Sequence, residues 1–287
     1  MPLKVLYFCR GQGNQIALAN RIAACLPLTE IIVVDPDIGS HSFGVNLQNQ
    51  ISKLIRRGAT AIVGLPLRRA WFDMLKHYGR QNLEFPTAPA LIVADINASE
   101  VETLVGRTKP DLVIVSGTNL LKGPLIAAIH QTGKIMNLHT GISPYVRGAP
   151  NCTNWCMVMR RFDLIGNSVM WIDVGIDSGN LIATERTPLS GRETLTELHI
   201  KVMDHAHDLL LRCLRRFAEG KALPNVPQSE LAEGKLFLAR HWNSKAALRA
   251  VVNFYFRDRQ ARGGEFMKQE VKLVSLPDEL PDEPSLP

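Results

Sequence analysis

Short apolar runs alternate with amphipathic stretches along the first two thirds of the chain. Leu3–Cys9 is a compact apolar run, Arg10-Gly11-Gln12-Gly13-Asn14-Gln15 interrupts it, and a helical pattern follows from Ile16 to Leu26. That order predicts strand, glycine turn and helix. Glu30–Asp35 is a second strand and Ala59–Leu65 a third apolar run, with a helix-like segment, Leu47–Arg57, between them. Leu67–Tyr78 is amphipathic: Trp71 and Leu75 point inward, while Arg68, Arg69, Asp73 and Lys76 point outward. Ala88–Ala94 and Leu112–Val115 read as strands. A helix opened by capping residues in Asp95–Glu100 and ending near Gly106 lies between them, and a helix from Pro124 to His130 follows. The apolar step Ile135-Met136 is a short strand that stops at Asn137.

Beyond Gly148 the pattern predicts a helix over Asn151–Met159. A strand pair, Asn167–Asp173 and Asn180–Glu185, then flanks a Gly175–Gly179 turn, and a long helix runs over Arg192–Gly220. Lys221–Gln228 is a linker, Leu236–Ala239 a short strand, and Asn243–Phe256 a helix capped by Asn243 or Ser244. Strands separated by helices imply an α/β fold: a Rossmann-like, mainly parallel sheet with helices on both faces, plus a small C-terminal helical appendage. The expected organisation is a catalytic domain over 1–190, a helical region with a short strand over 191–260, and a Pro- and acid-rich tail over 261–287. Ligands collect at the carboxyl ends of the strands in such sheets, which puts Asn119, Asn137 and His139 on the binding rim.

Composition changes this picture little. The 287 residues are 46% hydrophobic and 21% charged, which suits a globular chain long enough for one large domain and an appendage. The formal charge is +6, and it is spread: residues 1–190 hold 18 basic and 13 acidic side chains, residues 191–287 hold 15 and 14. Without a basic run, the charge argues against a dedicated nucleic-acid binder. Five scattered cysteines do not make a disulfide framework. Cys152 and Cys156 lack a second Cys/His pair at zinc spacing, so buried thiols in a reducing, cytoplasmic setting and no metal are expected. His199, His205 and His207 lie on the long helix with no two of them four apart, and read as solvated or core-edge rather than as metal ligands. No window reaches the roughly 18 apolar residues of a membrane span, so no membrane partner is expected.

Two stretches carry chemistry. The first, Asn137-Leu138-His139-Thr140-Gly141-Ile142-Ser143-Pro144-Tyr145-Val146-Arg147-Gly148, offers an amide, an imidazole and a guanidinium at the end of a strand. The second is Asp173-Val174-Gly175-Ile176-Asp177-Ser178-Gly179. If an amine attacks an activated acyl carbon, the oxyanion that develops needs donors already in place. Asn137 and His139 can supply them, and Asp177 can take the amine proton, directly or by relay. Singly, each has a bland alternative: a turn cap, a buried histidine, an Asx turn before Gly179. The turn at Gly11, Gly13 and Asn14 can serve packing alone or bind the substrate through amides at the helix start.

Together, Asn137-Leu138-His139 with Pro144, Arg147 and Gly148, followed by Ile176-Asp177-Ser178-Gly179, resemble the formyltransferase family that uses 10-formyltetrahydrofolate. The similarity covers residues 88–190 well and 1–87 loosely. It implies Asn137, His139 and Asp177 as catalytic residues. It implies a folate pocket lined by Ser116, Gly117, Thr118, Asn119, Leu120, Asp173 and Gly175, and acceptor contacts from Thr140, Gly141 and Arg147. The implied activity is N-formyl transfer from 10-formyltetrahydrofolate to a small-molecule amine, such as a nucleotide-linked amino sugar. The alternatives are a formyltetrahydrofolate hydrolase, a methionyl-tRNA formyltransferase-like enzyme and a non-catalytic folate-binding relative. Thr140-Gly141 departs from the Pro-Ser of many relatives, and Leu120 stands where purine-pathway relatives carry arginine. Apolar surface on the helices within 192–256 could serve a homodimer or simply cover the sheet.

Overall fold

The computed structural model describes residues 2–36, 62–148, 151–173, 177–257 and 271–277. Its strands are β1 (Val5–Cys9), β2 (Glu30–Val34), β3 (Ala90–Val93), β4 (Leu112–Ser116), β5 (Lys134–His139), β6 (Val146–Gly148), β7 (Gly166–Trp171), β8 (Leu181–Arg186) and β9 (Lys235–Phe237). Its helices are α1 (Gly13–Ala23), α2 (Leu65–Gln81), α3 (Ser99–Thr108), α4 (Gly123–His130), α5 (Cys152–Met159), α6 (Leu195–Ala218) and α7 (Ser244–Val252).

The main sheet runs β3-β2-β1-β4-β5-β7-β8. The first five strands in that order are parallel, because helical crossovers join them. β7 and β8 follow one another through a short turn and pair antiparallel. β1 is buried along its whole length, as a strand covered on both faces must be. Its side chains alternate between two cores. Val5, Tyr7 and Cys9 pack with α1 and with Leu209, Leu210 and Leu214 of α6; Leu6 and Phe8 pack with α3 and α4. A third core, around Trp155, Phe162 and Phe254, joins α5 to the C-terminal residues. The expected boundary at residue 190 falls between β8 and α6, and α6 covers one face of the sheet. Thr194 and Glu197 start α6 by reciprocal bonds: Glu197 N–H donates to Thr194 Oγ1 (3.2 Å) and Thr194 N–H to Glu197 Oε2 (2.8 Å).

Four expectations need correction. Of the run Ala59–Leu65, residues 59–61 lie outside the described residues, as does the segment 47–57, and Ile62 and Val63 are helical rather than extended. Pro66 sits in the first turn of α2, where its missing N–H costs nothing, and Ile62 is 75% exposed, without a strand beside it. The helix after Asp95 begins only at Ser99, with no side-chain cap at Ala98. Asp95 instead accepts hydrogen bonds from Asn97 and Asn119. β5 does not stop at Asn137 but continues through His139, held by pairing with β7. The histidines of α6 are not solvated. His205 Nε2 pairs with Glu185 Oε2 at 2.9 Å, His199 is 3% exposed and His207 is fully buried.

Burial pushes His199 down to about 4 and His207 to about 3, so both rings are neutral in the folded state. The unfolded chain, with ordinary histidines near 6.5, takes up protons first as the solution acidifies. This part of the stability is therefore complete above that value and is lost as the pH falls toward 4. Replacing His207 by leucine should flatten the acid limb of urea-unfolding stability against pH. Parallel acid limbs for wild type and variant would contradict a buried neutral ring.

Candidate active site

The site sits where the sheet changes from parallel to antiparallel, at the carboxyl ends of β4 and β5. Asn137 pairs with Val115 on one side and Met170 on the other, and His139 pairs with Ser168. Pairing on both sides fixes the direction in which Asn137 leaves the strand, and pairing with β7 fixes that of His139. Alternation sends Asn137 and His139 to the same face. Ser168 also shapes the loop that follows: its hydroxyl donates to Gly141 O (2.6 Å) and accepts from Ser143 N–H (2.9 Å).

The Asp177 turn follows β7 and comes back to this rim. Asp177 has φ +46, a left-handed conformation that asparagine and aspartate tolerate better than most residues. Its Oδ2 lies 3.6 Å from His139 Nδ1 and accepts the Gly148 N–H at 2.9 Å. On the opposite side of the ring, His139 Nε2 is 3.4 Å from Cys152 Sγ, and the Cys152 thiol donates to Gly148 O at 3.4 Å. Burial alone would keep the imidazole neutral. Burial is the largest single influence, but Asp177, Cys152 and Val146 together outweigh it and raise His139 to about 10. At neutral pH the ring is therefore an imidazolium with two N–H donors. Burial pushes the Cys152 thiol up, against the pull of His139, which leaves Cys152 a neutral contact for Nε2–H. Asn137 has no side-chain hydrogen bond among the described residues, so its amide is available to a ligand.

These groups border a cleft of ≈ 590 Å³. Ser116, Gly117, Thr118, Asn119, Leu120, Asp173, Asn14 and Thr140 also line it, as expected for pocket residues. Asn119 is tied down, with Nδ2 donating to Asp95 Oδ1 at 2.8 Å, so it shapes its loop. Leu120 is 56% exposed at the mouth. Gly175 lies outside the described residues. Gly11, Gly13, Gly141 and Arg147 stand behind the lining. A Cβ on Gly13 would lie 2.6 Å from Leu75 O and 2.8 Å from Gly79 N, so this glycine permits α1 to pack on α2. A Cβ on Gly141 would lie 2.7 Å from Cys152 Cβ and 2.9 Å from His139 Nε2, so it makes room for the His139 ring. Arg147 Nε is buried without a partner among the described residues.

The turn before α1 is closed by its own side chain. Gln15 Oε1 accepts from Arg10 N–H (2.9 Å) and Gln12 N–H (3.1 Å), while Gln15 Nε2 donates to Ser116 O (2.8 Å). The amides of Arg10 and Gln12 are thus occupied. Sequence pattern missed Gln15, Cys152 and Trp71 in this cleft, and also Leu238 and Ala239 from the C-terminal region. The i,i+3 spacing of Gln12 and Gln15 was an available signal, since such a pair favours reciprocal bonds at a helix start. For the others no local signal exists.

Residues 81–214 match the family model for formyl transferases. This match, over slightly less than half of the chain, marks a formyl transferase domain within it. A methionyl-tRNA formyltransferase from Citrifermentans bemidjiense is 28% identical over 188 residues, which are 62% of this chain and 56% of that protein. The chain thus spans about half the length of that curated relative. Among solved structures, the N-formyltransferase from Helicobacter canadensis, in complex with folinic acid and dTDP-3-aminofucose, superposes with a TM-score of 0.54 at 14% identity, covering 89% of this chain and 82% of that one. A phosphoribosylglycinamide formyltransferase from Anaplasma phagocytophilum gives 0.52 at 13% identity, covering 82% and 99%. At such identities the structures establish a shared formyltransferase fold. Among the described residues no group of three or more His, Cys, Asp or Glu is arranged to hold a metal, and no helix is long and apolar enough to cross a membrane.

The His139–Asp177 pair has a direct readout. The charged ring stabilises the fold fully below 6.5, and that contribution is lost as the pH rises through about 10. In Asp177→Asn the ring's NMR titration midpoint should drop toward the ordinary histidine range. An unchanged midpoint would remove Asp177 as the cause of the shift.

Proposed function

We propose that this chain transfers a formyl group from 10-formyltetrahydrofolate to the amine of a small molecule, with a nucleotide-linked amino sugar as the favoured acceptor class. The observation that carries the reading is the convergence of Asn137, His139 and Asp177 on one cleft, with a hydrogen-bond donor and a cation on β5 and a carboxylate on the turn after β7. The cleft suits a folate-sized donor, and the free Asn137 amide faces it as an unused donor. Ser116–Leu121 and Asp173 would hold the folate. When bound, it supplies an activated formyl carbonyl.

The chain's own groups then divide the work. Asn137 donates an amide N–H to the oxygen on which negative charge develops. His139 sets a positive charge beside it, and Cys152 yields the Nε2–H to the stronger acceptor. Both act without reorganising, because β5 is paired with β7 at each of them. Asp177, adjacent to the ring and oriented by Gly148 N–H, takes the proton lost by the attacking amine, directly or through water. Leu238 and Ala239 close one wall, which favours a compact acceptor over a macromolecule. The methionyl-tRNA formyltransferase relatives keep a tRNA-linked amine as the second reading.

Asp177→Asn should retain binding of folinic acid in calorimetry while turnover falls by about 10²–10⁴-fold, the usual worth of a positioned proton acceptor. Undiminished turnover would refute the mechanism. A panel of amines with labelled donor separates the readings by product: a formylated small amine supports this one, free formate alone indicates a hydrolase, and formylated methionyl-tRNA indicates the second.

A further inference from the structure

The residues after α6 lie beyond the family match, yet they reach the catalytic carboxylate by two routes. The first is Gln228. It is 6% exposed, and its Nε2 donates to both Asp177 O and Gly179 O at 2.8 Å each. One amide group thus spans the turn from the residue before Ser178 to the residue after it. Its Oε1 has no partner among the described residues, so these two donated bonds are what orient the side chain. They hold the main chain of a residue whose φ of +46 is not one that aspartate adopts by preference. Gly179 completes the clamp: a Cβ there would lie 1.8 Å from Trp171 O, so the turn is pressed against the end of β7.

The second route is β9. It pairs in parallel with β6, with Gly148 opposite Phe237. Gly148 has φ +92, and a Cβ on it would lie 2.0 Å from Phe237 O. β9 therefore rests directly on the residue whose N–H donates to Asp177 Oδ2. The strand is itself anchored by aromatic contact. Phe237 stacks on Trp155 with ring centroids 4.2 Å apart, and Trp242 meets Trp155 edge-on at 5.2 Å.

We propose that the C-terminal segment is the positioning element for the proton acceptor: Gln228 fixes the Asp177 main chain, and β9, acting through Gly148, fixes its carboxylate. This rests on the reading of Asp177 as proton acceptor. Neither Gln228 nor β9 touches the reacting atoms, so both are positioning residues. Their effect reaches the chemistry through the Asp177–His139 contact. His139 is faced by Asp177, by the Cys152 thiol and by the Val146 carbonyl. Of these, Asp177 is held by Gln228 through its main chain, and Val146, in β6, pairs with Lys235 of β9.

The test is Gln228→Met, which keeps length and volume but removes the two donors. kcat should fall by roughly 10–100-fold, the scale of a small misplacement of a catalytic group, with folinic acid affinity and acceptor KM unchanged. The NMR midpoint of His139 should drop in the same variant. Gln228→Asn keeps an amide but withdraws it by one methylene, and should fall between wild type and Gln228→Met in both readouts, which preserves the test if the methionine variant does not fold. Unchanged kcat overturns the proposal, as does a lower kcat with an unmoved His139 midpoint, since a merely structural role would give that pattern. The His139 midpoint needs no turnover. If the wild type transfers no formyl group, the functional reading fails while the positioning claim is still decided.

Discussion

The site depends on one carboxylate held between an imidazole and a backbone amide. Asp177 Oδ2 meets His139 Nδ1 at 3.6 Å and Gly148 N–H at 2.9 Å. A carboxylate in such a position does three things at once. It keeps the ring charged in a buried place, it fixes which nitrogen faces the cleft, and it leaves an oxygen for the departing proton. Each requires the turn after β7 and the loop after β5 to meet in one place. The sheet supplies only half of that, because Asp177 lies beyond the last pairing of β7.

Two kinds of buried histidine show how much the partner matters. His207, inside the core of α6 with no hydrogen-bond partner for either nitrogen, is driven to about 3. His139, also buried, is raised to about 10 because a carboxylate shares its space. Burial works in the same direction on both rings. Charge complementarity reverses the outcome in one of them. A neutral histidine suits a packed core, and a cationic one suits a developing oxyanion.

The strand–helix alternation was legible because burial on two faces demands near-continuous apolar runs, as in Val5–Cys9 and Leu112–Val115. Asn137, His139 and Asp177 stood out because their polarity is expensive at the end of a strand unless it is used. Less was legible where geometry comes from partners distant in sequence. Ile62 and Val63 look like a strand until Pro66 and solvent claim them for a helix. Gly13 looks like a ligand turn until Leu75 and Gly79 are seen pressed against it. Cys152 read as one of a pair of inert thiols, because nothing in the local pattern shows that α5 starts beside the His139 ring. His199 and His207 read as solvated or core-edge residues because helical spacing records which face a residue shares, not how deeply that face is buried.

The same reasoning explains why the C-terminal region gave so weak a signal and yet matters. Gln228 sits in a proline-flanked linker, and β9 is only three residues long. Neither has the periodicity that marks an element. Their value is local and geometric: two carbonyls and one glycine, each in contact with the Asp177 turn or its neighbour. Asn137 and His139 are aimed by a strand, since both pair with β7. Asp177 stands on a turn beyond that pairing and has no such scaffold. Its contacts come from chain that lies after the family match, which ends at residue 214. The same segment puts Leu238 and Ala239 on the cleft wall, so it borders the cleft and the Asp177 turn together.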